Sequence, residues 1–174
     1  TPGQILRNWG LVFIGNFCGA MTTAFFVSFI LTYGYNTDGG ALAAKVASIG
    51  ESRTLGYQEH GAAGWFTIFI RGMLCNWMVS MGVVGAMIST SAGAKMVAMW
   101  MPVMLFFFMG FEHSIVNMFL FPFSMIMGGE FTIYDYLVWN EIPTVLGNLF
   151  GGLFLVGLPL YFTHVRTSPE RKLA

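Results

Sequence analysis

The sequence predicts an all-α membrane protein, a bundle of apolar helices. Three observations lead there. Of its 174 residues 56% are hydrophobic and only 9% are charged, against about a quarter in soluble domains, and the mean hydropathy is +0.68. Four stretches, each nearly or wholly free of Asp, Glu, Lys and Arg, are long enough to cross a hydrocarbon core, which takes about 20 helical residues. The stretch from Met96 to Gly129 carries one ionisable pair, Glu112-His113, near its middle. Ionisable side chains at membrane depth are costly and mark function.

The first span is expected over residues 8–33, between Arg7 and Asp38, with Trp9 and Tyr33 near its ends. An external amphipathic helix follows over about 38–53, capped by Thr37 or Asp38, with Leu42, Val46 and Ile49 on one stripe. The Gly-rich stretch 56–64, which holds His60, then leads into a second span over 68–92, with Trp65 near its start.

The third span, 96–128, cannot be one straight helix. The 34 residues from Met96 to Gly129 would reach about 50 Å at 1.5 Å per residue, against about 30 Å of hydrocarbon. A break is therefore expected near 106–112, at Gly110, with a second half-helix starting near Glu112 and Pro122 kinking or shortening it. Trp100 and Trp139 also sit near span ends, and the fourth span covers 143–164.

Lys and Arg orient the crossings. With the N-terminus inside, Arg7, Lys95, Arg166, Arg171 and Lys172 face the cytoplasm, whereas Lys45, Arg53 and Arg71 lie outside with the acids, Glu141 among them. Both ends of this chain are then cytoplasmic, and the protein is a multi-pass component of the cell membrane. A formal charge of zero offers no basic surface for nucleic acid. Cys18 and Cys75 share no metal-ligand spacing with a histidine, and no metal, cofactor or catalytic residue is expected.

The segments Gly15-Asn16-Phe17-Cys18-Gly19-Ala20 and Gly147-Asn148-Leu149-Phe150-Gly151-Gly152 share the pattern Gly-Asn-x-x-Gly-small, suited to close helix contact. Read as an inverted repeat, they place two further spans ahead of Thr1 and make the chain a fragment.

A half-helix starting at membrane midplane presents backbone N–H groups and a positive dipole end to an anion. His113 would stand in its first turn, able to hold or release a proton near neutrality. Asn117, four residues on, would share its face, whereas Glu112 would point about 100° away, toward a helix interface. Asn76 and Asn148 are amides within the second and fourth spans, and Phe106 opens a run of three phenylalanines suited to a constriction that excludes water.

The stretches Arg71-Gly72-Met73-Leu74-Cys75-Asn76-Trp77-Met78-Val79 and Gly110-Phe111-Glu112-His113-Ser114-Ile115-Val116-Asn117-Met118-Phe119 resemble the two signatures of the formate/nitrite transporter family. The resemblance covers nearly the whole chain. It implies an aquaporin-like inverted-repeat bundle of six spans, of which helices three to six are here, the fifth broken. Five protomers would assemble, with one pore in each. It further implies that His113 is the central pore histidine, Asn117 its neighbour and Phe106 part of the outer constriction, with Asn76 and Asn148 bracing the loops. The family also carries a pore-side lysine in the external segment before its fourth helix, a place that Arg53 would take here. The expected activity is passage of formate or nitrite assisted by a proton at His113, since the neutral acid enters an apolar constriction far more readily than its anion. Hydrosulfide or another weak-acid anion would suit the same groups. A non-transporting structural or sensing subunit, or a redox subunit ligated by His60, His113, His164 and Glu112, are the competing readings; in the latter no two histidines fall at ligand spacing.

Overall fold

The computed structural model describes residues 1–167, all of them in helices or the connections between helices. Arg171 and Lys172, assigned above to the cytoplasmic end, lie outside the described residues. Seven helical segments follow one another: α1 (Pro2–Leu31), α2 (Gly40–Ser52), α3 (Leu55–Gln58), α4 (Gly61–Ile88), α5 (Ala92–Phe108), α6 (Ser114–Ile126) and α7 (Ile133–Arg166). Within α7 the turns Leu137–Glu141, Leu153–Gly157 and Tyr161–Arg166 are π-helical. Among the described residues α1, α4 and α7 are long and apolar enough to span a membrane, and α5 and α6 are shorter apolar helices. The second expected span starts earlier than composition suggests, because α4 takes in the residues from Gly61 onward.

Contacts divide the molecule into two compact units, Thr1–Ile68 with His113–Pro143, and Phe69–Glu112 with the chain from Thr144 onward.

In the first unit Pro2 starts α1, where its missing N–H is no loss. The hydroxyls of Thr22, Thr23, Ser28 and Thr32 each donate to the carbonyl four residues back, at 2.7–2.8 Å, which answers their polarity without a partner helix. The helix stops where Tyr33, Gly34 and Tyr35 all take positive φ. Asp38 then accepts the Gly40 N–H at 2.9 Å, and α2 begins with Gly39 as its N-cap.

The buried stripe of α2 is Ala43, Val46, Ala47 and Gly50, and Leu42 is 58% exposed. This differs from the Leu42, Val46, Ile49 stripe because α2 packs closely on α6, which favours small residues. The Ser124 hydroxyl donates to the Ala47 carbonyl at 3.2 Å, and a methyl group at Gly50 would overlap Ser124 and Phe131. Phe123 of α6 packs with Ala24 of α1 and Val46 of α2, and Phe121 stacks on Tyr136. Pro122 lies inside α6, which runs past it to Ile126.

In the second unit α4 meets both α5 and α7 through glycines. A Cβ at Gly82 would come 3.1 Å from the Ala98 carbonyl, and one at Gly151 or Gly147 would overlap the backbone of Met73 or Phe69. In lipid, helices associate by such packing and by hydrogen bonds, because burial of apolar surface gives little advantage. The Gly147–Gly151 pair thus does what its spacing suggests. Gly15 and Gly19 carry the same spacing and have nothing within 4 Å of a built Cβ.

Candidate functional site: an interrupted helix

The chain leaves helix in the middle of its longest apolar stretch. Gly110 has φ +63°, a left-handed conformation that only glycine adopts readily. Its N–H donates to the Phe107 carbonyl at 3.1 Å, and the Phe111 N–H donates to the Phe106 carbonyl at 3.0 Å, the paired bonds of a Schellman stop. The last carbonyls of α5 are thereby satisfied locally.

Helix resumes at Ser114, two residues later than the start expected near Glu112. His113 is the N-cap, in extended conformation with φ −126° and ψ 118°, so it precedes the first turn. The wheel argument that separated Glu112 from His113 by 100° does not apply, since neither residue is helical. The first bond of α6 is Asn117 N–H to the His113 carbonyl, 2.9 Å. The amides of Ser114, Ile115 and Val116 therefore lie ahead of that bond at the positive end of the helix. His113 is half-buried and Asn117 fully buried.

Asn117 is tied into the first unit. Its Nδ2 donates to Asn140 Oδ1 at 2.6 Å, and Asn140 Nδ2 donates to the Arg53 carbonyl at 2.9 Å. Asn140 was not foreseen. It lies with Glu141 in the first π-helical turn of α7, and both are buried, although a charge at that place looked like the outer edge of a span. Glu141, expected among the external acids, is buried and accepts the Tyr136 hydroxyl at 2.9 Å inside this unit. The only sequence sign of either residue was two polar groups adjoining an apolar run.

The second unit holds the other amides. Asn76 Nδ2 donates to the Asn148 carbonyl at 2.6 Å, and Asn148 Nδ2 donates to the carbonyls of Gly72 (2.9 Å) and Glu112 (3.0 Å). The Glu112 carbonyl has left the helical ladder, and buried carbonyls need donors; Asn148 supplies one. Gly72 makes the approach possible, since a Cβ there would sit 2.9 Å from the Thr144 carbonyl. Glu112 is fully buried, and Phe106, 3% exposed, stacks on Phe107 with centroids 4.5 Å apart. Of the six residues singled out from sequence, Asn76, Asn148, Glu112 and Phe106 thus belong to the second unit, and His113 and Asn117 to the first. Among the described residues no three His, Cys, Asp or Glu side chains gather as metal ligands.

Comparison with known proteins gives consistent results. A family model described as formate/nitrite transporter matches residues 1–162. A probable formate transporter of Methanothermobacter thermautotrophicus is 31% identical over 169 residues, covering 93% of this chain and 60% of that protein. The formate channel FocA of Escherichia coli K12 is 30% identical over 186 residues, covering 97% and 62%. A solved structure described as a pentameric formate channel with formate bound superposes with a TM-score of 0.74 at 27% identity, over 91% of this chain and 66% of the other. The chain thus spans about three fifths of the length of these curated relatives.

Proposed function

The chain belongs to the formate/nitrite transporter family, and from that premise we propose that the protein passes small monovalent anions, formate or nitrite, across a cell membrane with the help of a proton carried by His113. It acts as a multi-pass homopentamer with a pore in each protomer and with both ends of this chain in the cytoplasm. The description of a solved relative as pentameric supports that assembly.

One observation carries the reading: the helix is interrupted from Met109 to His113, deep in an apolar stretch, with an imidazole at the N-cap of the helix that follows. Irregular backbone at membrane depth is tolerated where it is protein-buried or lines a wet cavity. The N-terminal end of α6 favours negative charge, and an imidazole can either donate a hydrogen bond or carry a proton. A bare anion pays a large desolvation penalty in an apolar constriction, and its neutral acid a small one. Phe106 supplies that constriction. Asn117 lines the route beside His113, and Glu112, Asn76 and Asn148 hold the irregular segment in place.

The test is formate flux into proteoliposomes bearing the full-length protein at pH 5 and pH 7. His113→Asn, which cannot carry a proton, is expected to lose the acid-stimulated component. Unchanged flux at both pH values would refute the role of His113.

A further inference from the structure

An almost wholly apolar groove runs between α4 and α5, inside the second unit. Trp77, Met78 and Met81 of α4 form one wall and Trp100, Met104 and Phe108 of α5 the other, around a space of about 700 Å³, within the range of about 300–1,000 Å³ for ligand pockets. A more open hollow of about 510 Å³ beside Met96, Val97 and Trp100 continues it along α5. The lining does not suit another helix. Helices in lipid meet through small residues, and α4 meets α7 in that way at Gly147 and Gly151, whereas this groove is walled by large side chains. Methionine moulds itself to an irregular apolar partner, which an acyl chain is.

One end of the groove is charged. Lys95 stands exposed in the first turn of α5, next to Met96, and has no acidic partner among the described residues. The other end is Phe108, where α5 stops. The rise between them is about 20 Å at 1.5 Å per residue, and one leaflet with its headgroup layer is about 20–22 Å deep. A phosphate at Lys95 thus brings the end of its chain to Phe108. Anionic lipids concentrate in the cytoplasmic leaflet, the side on which the placement of Lys and Arg puts Lys95. We propose that the α4–α5 groove holds an acyl chain of one anionic phospholipid of the cytoplasmic leaflet, with the lipid phosphate on Lys95. The site goes beyond the anion route and asks only that the chain sit in a membrane with Lys95 at that face.

The experiment places the full-length protein in phosphatidylcholine vesicles holding increasing fractions of phosphatidylglycerol brominated on its acyl chains. Bromine quenches nearby indoles, and the groove's share of the quenching is the difference, in each background, between proteins with and without the double change Trp77→Phe, Trp100→Phe. That share should saturate at low phosphatidylglycerol fraction. Half-quenching should need about fivefold more lipid in Lys95→Gln, or with brominated phosphatidylcholine in the unaltered protein, the equivalent of one cation near an anionic surface. Lys95→Arg keeps the cation and should keep the wild-type value. A half-quenching fraction in Lys95→Gln within about twofold of wild type overturns the proposal, because scatter of that size is ordinary for single contacts. Quenching that rises with lipid fraction and never saturates is ordinary annular contact and overturns it as well. So does a groove share of zero with both lipids, which would mean that another segment of the protein or a neighbouring copy fills the groove. Formate flux does not enter the readout, so a protein without flux would remove the proposed function and leave this result standing.

Discussion

Replacing Gly110 by alanine changes stability in opposite directions depending on whether the helix is interrupted. With φ at +63°, an added Cβ meets the following carbonyl oxygen and costs about 1–2 kcal/mol. Part of that is offset by about 0.4–1 kcal/mol, because alanine restricts the unfolded chain. The net destabilisation is therefore up to about 1.6 kcal/mol, centred on about 0.8 kcal/mol, or roughly 2–3 °C in Tm at the centre of that range. In an unbroken helix the same change would stabilise by about 1 kcal/mol, the difference in helix propensity. Asparagine tolerates left-handed backbone better than alanine, so Gly110→Asn should fall between wild type and Gly110→Ala. Thermal unfolding of the detergent-solubilised protein, followed by tryptophan fluorescence, reads both variants. A Gly110→Ala protein more stable than wild type would mean that the helix runs through and that the Schellman stop does not exist.

Two further outcomes follow from the second unit. Asn148→Leu leaves the Gly72 and Glu112 carbonyls without the donor described, at a cost of about 1–3 kcal/mol, and Asn148→Asp, though isosteric, should be at least as damaging because it substitutes an acceptor for that donor; wild-type thermal stability in Asn148→Asp would contradict the network. Gly151→Ala should lower Tm more than Gly152→Ala, since the new methyl meets the Met73 backbone in the first case and the Asn76 side-chain amide in the second, and overpacking against rigid atoms costs about 1–3 kcal/mol; the opposite order, by the same unfolding measurement, would rule this packing out.

The interruption was legible because two lengths conflict: an apolar run of 34 residues and a hydrocarbon layer of about 30 Å. A glycine ahead of the polar pair gave the place. The restart at Ser114 was missed by two residues because cap geometry depends on φ and ψ at His113, which no residue pattern dictates. On α2 the eye follows Leu42, whereas the face packed on α6 is made of Ala43, Ala47 and Gly50; close approach selects small side chains, and hydropathy rewards large ones. Asn140 was passed over, and Glu141 was read only as an external acid, for a related reason. Adjacent residues on a regular helix diverge by about 100°, so both being buried was not expected, and the π-helical turn that holds them leaves no periodic mark. The matched Gly-x-x-x-Gly pairs look alike in sequence, yet only Gly147 and Gly151 meet a neighbour among the described residues.

The two helix ends flanking residues 109–113 are not electrostatic mirror images. The carbonyls closing α5 already receive the N–H groups of Gly110 and Phe111, and the Glu112 carbonyl receives Asn148. The break thus satisfies the carbonyls of Phe106, Phe107 and Glu112 from within the chain, so this stretch of the second unit is folded irregular backbone and not an unwound turn of helix.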